Sequence, residues 1–420
     1  MIFYKRWLKI LSVLFVVALM LGMGGKTYAA KKVDIHILTL LDLTGPYSAS
    51  HQTVLKGIKA FAEWANETDY IPGVNIVLDV YDHGMDVSKC LVAFNTAASS
   101  KNKPVVSTAG ISSATAGALK SIAKRKKIPL VDGVSNRSII LDPGWVFGYS
   151  PPYEAWLGVS GKWIKANWKA DSKFEWIRKH YEDRPPRLGY IGWDNAFGRA
   201  LVVDENRAYL KSIGVEFLGD EYIPMSPNDV TPQLERLRKA DFIYFGMYSA
   251  DHAVCLKNAA RLGLREKFLD ISWPADSPYL LKLYAGKLSE NTLIPTMYQP
   301  LMKDWPDFLR ESFEKSGLGE PYILGYSWGV VQYDIMFEAI RNAAKAVGAE
   351  NVTGQDVYNA LINLKDFPAK GVSAKITYSE TKRWGPDVTD FYQIVDGKVI
   401  HTGEKIRLPE LIPGGKDVPK

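Results

Sequence analysis

Residues 35–48 read IHILTLLDLTGPYS, an apolar run that ends in a Gly-Pro loop. The run at 35–41 is too short to form a helix of its own, and its continuous apolar character predicts a buried parallel strand. After the loop, residues 54–66 carry their apolar side chains on one helical face. A strand, a loop and an amphipathic helix in this order predict the first βα unit of a parallel sheet.

The same alternation continues along the chain in two successive series. Two such series predict an α/β fold of two doubly wound parallel-sheet lobes. Asp396-Gly397 is typical of a two-residue hairpin turn between two late strands. The predicted strands lie at 74–81, 105–108, 128–131, 188–193, 215–222, 242–246, 268–271, 376–378, 391–395 and 398–401. The predicted helices lie at 87–99, 114–126, 153–167, 199–213, 230–239, 250–262 and 326–346.

The first 30 residues have the pattern of an export signal. A basic segment around Lys5 and Arg6 precedes an apolar run at 10–23, and small residues at 27–30 offer a cleavage site after Ala29 or Ala30. A retained membrane anchor needs about 20 apolar residues, and this run is shorter. No Cys lies near the cut, so a lipid anchor is not expected. The pattern predicts a cleaved Sec-type signal peptide and a periplasmic protein.

Composition argues against several classes of partner. Without the signal, 48 basic residues face 46 acidic ones, so nothing favours nucleic acid as a partner. The six His residues show no metal-ligand spacing, and we expect no metal and no cofactor. Cys90 and Cys255 fall in predicted helices of different lobes, where we expect free, buried thiols rather than a disulfide.

Ligands of open parallel sheets bind beyond the carboxyl ends of the strands, so the loops that follow the strands are the candidate site. Ser112 and Ser113 stand where one such loop enters a helix. Their hydroxyls, the free N–H groups and the helix dipole suit a carboxylate, although both serines could simply cap the helix. A second loop, with Gly133 and Ser135, could supply another N–H group and hydroxyl.

Aromatic residues cluster in or beside the same loops of both predicted lobes. Such rings can wrap an apolar or cationic group, although any single ring is more often packed in a core. The candidates for ligand contact are Tyr47, Phe197, Tyr248, Trp273 and, at the start of the long helix, Tyr326, with Trp193 and Trp328 beside them.

Gly325-Tyr326-Ser327-Trp328-Gly329 matches the GxSxG nucleophile elbow of serine hydrolases. That motif needs a strand before the serine and a helix after it, and only residues 322–324 could serve as the strand. No His or acid is placed by the sequence to complete a triad. A secreted hydrolase built on Ser327 is therefore a distant alternative, and we predict that the protein is not an enzyme.

From about residue 33 to about residue 399 the chain resembles the type I periplasmic solute-binding proteins, most of all the branched-chain amino acid receptors of ABC transporters. The resemblance implies lobe one at 31–152 plus 280–350, lobe two at 153–279 plus 351–410, a tail at 411–420 and three strands that cross as a hinge. The stretches that carry it are Leu43-Thr44-Gly45-Pro46-Tyr47-Ser48, Ile71-Pro72-Gly73-Val74-Asn75, Gly110-Ile111-Ser112-Ser113-Ala114, Trp193-Asp194-Asn195-Ala196-Phe197-Gly198 and Leu324-Gly325-Tyr326-Ser327.

By this resemblance the ligand carboxylate is held at Ser112 and at the loop 133–135. The positions that flank the ligand are Tyr47, Phe197, Tyr248 and Tyr326. Amino acid receptors also hold the ligand ammonium with an acid from lobe two, and the candidates here are Asp251, Asp270 and Asp276. None of the three aligns well with the family's acid, and the loop that carries Trp273 could face an aromatic or aliphatic acid instead. The segment 169–186 is longer than in the family.

The resulting prediction is a monomeric receptor that captures a small carboxylate-bearing solute by hinge closure and delivers it to an ABC permease in the inner membrane. An amino acid is the first expectation. Aromatic or aliphatic acids and amides are the alternatives for the ligand. A ligand sensor for a signalling partner, or an exported interaction protein that binds no solute, are the alternatives for the role.

Overall fold

A computed structural model describes residues 32–419, so the predicted signal peptide lies outside the described residues. The first sheet has five strands in the order β2-β1-β3-β4-β5, and all of its pairings are parallel. The quoted apolar run forms the strand β1, as predicted. The five strands are β1 (Val33–Leu41), β2 (Val74–Asp82), β3 (Val106–Ser107), β4 (Leu130–Asp132) and β5 (Val146–Gly148).

The second sheet has seven strands in the order β12-β11-β10-β9-β8-β6-β7. Strands β6 to β10 pair in parallel, but β11 pairs antiparallel with both β10 and β12, so this lobe is mixed at one edge rather than wholly parallel. Asp396 and Gly397 turn the hairpin with positive φ angles of 49° and 68°. The strands are β6 (Arg187–Trp193), β7 (Glu216–Ile223), β8 (Phe242–Gly246), β9 (Leu269–Ser272), β10 (Leu293–Thr296), β11 (Val388–Val395) and β12 (Lys398–Arg407).

Helices cover both sheets, which confirms an α/β fold of two lobes. Within the described residues, no helix combines the length and apolar character that a membrane span needs. The helices are α1 (Ser48–Glu67), α2 (Val87–Ala98), α3 (Ser113–Lys126), α4 (Arg137–Ile140), α5 (Tyr153–Asn167), α6 (Glu175–His180), α7 (Asp204–Ser212), α8 (Thr231–Arg236), α9 (Ser249–Arg261), α10 (Pro278–Ala285), α11 (Asp307–Lys315), α12 (Ile323–Val347) and α13 (Gly354–Ile362).

The long helix α12 packs against α1 at the centre of lobe one. Two glycines allow this close approach, because a Cβ on Gly57 would lie 2.3 Å from the carbonyl oxygen of Tyr326, and one on Gly329 would lie 2.4 Å from that of Val54. Ser327 is fully buried in α12, and its hydroxyl donates to the carbonyl of Leu324. Residues 322–324 form no strand, so the nucleophile-elbow interpretation of Ser327 is wrong.

Three segments join the lobes, and hydrogen bonds tie them to one another. Gly148 N donates to the Arg383 carbonyl at 2.7 Å, and Gly385 N donates to the Ser150 carbonyl at 3.1 Å. Tyr298 and Ser373 form an isolated antiparallel bridge. The predicted strand 376–378 is likewise only a single bridge, between Ile376 and Phe367. The hinge therefore consists of three linked segments rather than three continuous strands.

Two elements pack in the lobe opposite to the one predicted for them. Strand β10 falls in the range expected for lobe one, yet it pairs with β9 and β11 in the second sheet. Helix α13 falls in the range expected for lobe two, yet it packs on α12, and a Cβ on Gly354 would lie 2.0 Å from the carbonyl of Lys127. The predicted helix 199–213 is also interrupted, with a 3-10 turn at Gly198–Leu201 before α7.

The long polar segment 169–186 packs on lobe two. Phe174, Trp176 and Ile177 are buried around α6. Arg184 donates two hydrogen bonds to Asp241, at 2.7 and 2.8 Å. Because a bidentate Arg–carboxylate pair fixes both partners in one geometry, the segment has a structural role beside the second sheet.

Candidate functional site

A cavity of about 100 Å³, here called the first cavity, lies between the two lobes. The loops that follow β1, β3 and β4 line it from lobe one, and those that follow β6, β8 and β9 line it from lobe two. The first cavity therefore lies beside the loops where the carboxyl-end rule for parallel sheets predicts a ligand.

The start of helix α3 forms the lobe-one wall of the first cavity. Ser112 occupies the N-cap position, but its side chain makes no capping hydrogen bond. Ser113 Oγ is buried beside the Tyr153 hydroxyl and, within residues 32–419, makes no hydrogen bond of normal geometry. Since the first N–H groups of a helix have no partner within it, and the dipole is positive at this end, this wall can receive an anion.

Trp328 supplies a further unpaired donor. Its indole Nε1 is buried and has no hydrogen-bond partner in the described part of the chain, and the residue lines the first cavity. Gly133 keeps the space beside it open, because a Cβ there would lie 3.2 Å from Nε1. The first cavity thus has an unpaired hydroxyl and an unpaired N–H group on its lobe-one side.

The loop before α3 is held in an unusual backbone conformation. Gly110 and Ile111 both have positive φ, at 84° and 51°, and this region is costly for a β-branched residue. A Cβ on Gly110 would lie 2.8 Å from Thr115 Oγ1 and 2.9 Å from His83 Nε2, so only glycine fits there. Ile111 N donates to Asp132 Oδ2 at 3.1 Å, which holds the strained residue in place.

Asp132 accepts hydrogen bonds from both of the lobe-one loops that line the first cavity. Its carboxylate also accepts hydrogen bonds from Ala109 N at 2.7 Å and Val134 N at 3.2 Å. Burial raises the pKa of Asp132 to about 6, although the backbone N–H groups oppose that shift. Asp132 was not among the predicted site residues, and its position as the last residue of β4 was the available signal.

Rings form most of the remaining wall. Phe197 and Trp273 meet edge to face at 4.8 Å, and Trp193 and Tyr248 at 5.4 Å between ring centroids. Among the described residues, no Asp, Glu, Lys, Arg or His lines the first cavity. The interior is therefore apolar and aromatic apart from hydroxyl, amide and indole groups. The aromatic lining consists of Tyr47, Tyr153, Trp156, Trp193, Phe197, Tyr248, Trp273, Tyr298 and Trp328.

Seven of the predicted ligand residues line the first cavity: Tyr47, Ser112, Ser113, Gly133, Phe197, Tyr248 and Trp273. Two others lie elsewhere. The Ser135 hydroxyl donates to the Ser150 carbonyl, and Ser135 itself does not line the cavity. The Tyr326 ring packs against Phe313, with its hydroxyl on Ser312 at 2.8 Å. Neither Ser135 nor Tyr326 therefore belongs to the lining of the first cavity.

None of the three candidate ammonium-binding acids lines the first cavity. Asp251 lies behind the Trp193 ring and accepts its indole N–H at 2.7 Å. Asp270 is fully buried and pairs with Arg265 at 2.7 Å. Asp276 is buried and accepts the backbone N–H of Ser249. An ammonium group in the first cavity would thus have no carboxylate partner among the described residues.

A charged pair closes one side of the cleft. Arg137 on α4 donates to both oxygens of Glu205 on α7, at 2.8 and 2.9 Å. Its Nε also lies 3.5 Å from Glu154 at the start of α5. Burial raises the pKa of Glu154 to about 7, whereas the hydrogen bond from Arg137 lowers the pKa of Glu205. The cluster joins lobe one to lobe two without touching the first cavity.

Two α/β lobes that are joined by three segments and enclose a cavity are typical of the type I periplasmic binding proteins. The profile described as periplasmic binding protein matches residues 34–398, and the chain belongs to that family. Membership supports a solute-binding role and a periplasmic location. Cys90 and Cys255 are free and buried, as expected. None of the curated proteins compared matches the chain.

Solved structures show the same fold at low sequence identity. A branched-chain amino acid ABC transporter protein from Thermus thermophilus with bound valine is 20% identical over 90% of this chain and 97% of its own, with a TM-score of 0.77. A fatty acid ABC transporter substrate-binding protein from Thermomonospora curvata is 18% identical over 93% and 95%, with a TM-score of 0.71. An ABC transporter substrate-binding protein from Aeropyrum pernix is 16% identical over 90% and 97%, also at 0.71.

Proposed function

We propose that this protein captures a small carboxylate with an apolar, aromatic or aliphatic body and delivers it to an ABC permease. One observation carries the proposal: the first cavity joins an uncapped helix N-terminus to an aromatic lining in which the described residues include no charged side chain. Such a lining can accept one negative charge at a defined point and apolar surface elsewhere.

The carboxylate is assigned to the start of α3. Ser113 Oγ, Trp328 Nε1 and the first N–H groups of the helix can donate to its oxygens. Burial of a charge is costly unless hydrogen bonds replace its hydration, and these donors supply that replacement. The rings from lobe two then cover the body of the ligand.

The same reasoning changes the order of the candidate ligands. An α-amino acid brings an ammonium group as well as a carboxylate, and no acid among residues 32–419 lines the first cavity to compensate the ammonium charge. Aromatic rings attract a cation by only about 0.5 to 2 kcal/mol, which is less than the desolvation of an ammonium group costs. Acids without an amine therefore come first in this proposal, and the amino acid expectation comes second.

Capture would proceed by closure of the hinge. Both lobes line the first cavity, so the ligand gains contacts when the lobes meet, and those extra contacts favour the closed arrangement. A closed monomer would then present the surfaces of both lobes to the permease. Export through the cleaved signal peptide would place this step in the periplasm.

The test compares three matched ligands that share one body. Thermal unfolding of the purified protein is measured with 3-methylbutanoate, with its amide and with valine, and likewise with phenylacetate, phenylacetamide and phenylglycine. A ligand at 100 times its dissociation constant stabilises by about 2.7 kcal/mol. We expect the acids to stabilise more than the amides and the amino acids. Stronger stabilisation by valine than by 3-methylbutanoate would contradict the proposal.

Two variants locate the carboxylate. Ser113→Ala and Trp328→Phe each remove one donor, and a hydrogen bond to a charged group contributes roughly 1.5 to 3 kcal/mol. Ser121→Ala removes an exposed hydroxyl from the same helix and serves as the control. If neither Ser113→Ala nor Trp328→Phe lowers the affinity for the acid, the assignment of the carboxylate to the start of α3 is refuted.

A further inference from the structure

A second cavity, of about 140 Å³, lies in the same cleft beside the first. Lobe one contributes residues from the start of α1 and from α12, and lobe two contributes residues from α9 and α10. The two cavities share only Ala275 and three aromatic residues in their linings. Those three, Tyr47, Trp193 and Tyr248, are here called the ring partition.

The ring partition separates the two cavities. The ring centroid of Tyr47 lies 5.7 Å from that of Trp193 and 5.7 Å from that of Tyr248. The centroids of Trp193 and Tyr248 lie 5.4 Å apart. Rings at these distances are in contact, so no ligand atom fits between them. The second cavity therefore differs in location from the site assigned to the carboxylate.

The two cavities also differ in charge. Asp251 and Asp276 line the second cavity, and no Lys, Arg or His among the described residues does. Asp276 is 2% exposed, and its Oδ2 has no hydrogen-bond partner in the part of the chain that the structure describes. The nearest basic atom, His252 Nδ1, is 3.7 Å away, which is beyond hydrogen-bond distance.

The neighbouring basic groups face Asp270 and Asp276 and leave the charge of Asp251 uncompensated. Arg265 pairs with Asp270, and His252 lies between Asp270 and Asp276. If both basic groups are charged, they balance these two acids and nothing more. Among the described residues, the hydrogen-bond donors to Asp251 are neutral: the indole N–H of Trp193 and the backbone N–H of Ser226 at 2.9 Å. Asp251 also lies in the first turn of α9.

We propose that the second cavity binds an organic cation, namely an ammonium group on a small apolar body. The ammonium group would pair with Asp251 and approach Asp276 Oδ2, and Leu280, Tyr284 and Tyr322 would cover the body. Tyrosine faces add a further attraction for a cation. This inference goes beyond the proposed function and does not depend on it, because it concerns different lining residues and a ligand of opposite charge.

The two lobes share the lining of the second cavity, so its occupant would favour the closed arrangement as the acid does. Each ligand would then raise the affinity of the other, because both select the same state. Acid binding measured with and without the cation provides this second readout.

Calorimetric titration of the full protein tests the site with 3-methylbutylammonium and, as the neutral match, 3-methylbutanol. We expect the ammonium compound to bind at least tenfold more tightly than the alcohol. Asp251→Asn keeps an acceptor for Trp193 but removes the charge, and we expect roughly ten- to a hundredfold weaker ammonium binding. Asp204→Asn removes an equal charge from the exposed surface of the same lobe and is the control.

A second variant keeps the test independent of Asp251. Ser50→Leu fills the second cavity from α1, and we expect it to abolish ammonium binding as well. Equal affinity for the alcohol and the ammonium compound, or unchanged ammonium affinity in Asp251→Asn, would overturn the inference. So would the absence of ammonium binding to the parent protein, whatever the acids of the first cavity do.

Discussion

Glu154→Gln should make the protein more stable at alkaline pH. Glu154 is fully buried, and within the described residues neither of its carboxyl oxygens has a hydrogen-bond partner. Burial raises its pKa from 4.5 to about 7, even with Arg137 nearby. Because the folded-state pKa is the higher one, the folded protein loses stability as the pH rises from about 4.5 through about 7.

The magnitude follows from the size of the shift. About 2.5 pH units, at about 1.4 kcal/mol each, amount to about 3 kcal/mol of lost stability above pH 8. Glutamine has nearly the same shape and no charge, so the variant escapes this loss. Between pH 5.5 and 8.5 its advantage over the parent should grow by about 2 kcal/mol, because part of the loss has already occurred at pH 5.5.

Urea unfolding at pH 5.5, 7 and 8.5, followed by tryptophan fluorescence, measures this difference. Glu205→Gln is the matched control. Arg137 lowers the pKa of Glu205, so Glu205 contributes stability above pH 4.5 that disappears only below it. The control should therefore be less stable than the parent by an amount that does not change between pH 5.5 and 8.5. An advantage of Glu154→Gln that stays constant with pH would refute the reasoning.

Three further predictions concern the ligand loop, the cleft and the thiols. Gly110→Ala should cost about 2 kcal/mol or more of unfolding free energy, because alanine is strained at φ 84° and its Cβ has no space; a cost below about 0.5 kcal/mol would contradict this. Arg137→Gln should enlarge the radius of gyration in small-angle scattering, since it removes the pair with Glu205 across the cleft; an unchanged radius would show that the pair does not hold the lobes together. Cys90 and Cys255 are both buried, so a thiol reagent should modify them only after unfolding, and rapid reaction of the native protein would disprove their burial.

The element predictions that agree with the structure came from apolar runs in the sequence, and the position of the cavity-lining loops came from the ends of the predicted strands. The predicted strand 242–246 and helix 153–167 have the bounds of β8 and α5. Both are dense in buried apolar residues, and their ends coincide with a change of pattern. The carboxyl-end rule placed Ser113 and Gly133 at the first cavity, because topology alone brings those loops together.

Side-chain direction was the part that the sequence could not supply. Tyr326 and Trp328 are two residues apart on α12, and both are buried, yet only Trp328 reaches the first cavity. A helix that is apolar all round gives no sign of which face meets a ligand. Ser135 turns toward the hinge for a similar reason, since its partner is a backbone carbonyl that the sequence does not place. The antiparallel pairing of β11 with β10 likewise depends on contacts distant in sequence.

The two ends of the first cavity differ in how readily their amino-acid sequence can change during evolution. At one end the ligand would meet main-chain N–H groups of α3, and the shape of that end is set by Asp132 beneath two loops. At the other end it would meet rings carried on several independent loops of lobe two. Exchange of one ring can alter which bodies fit while the anchoring end persists. Single substitutions of these rings could thus change which related acid the protein binds. The carboxylate site would be retained at each substitution, so every intermediate protein would still bind an acid.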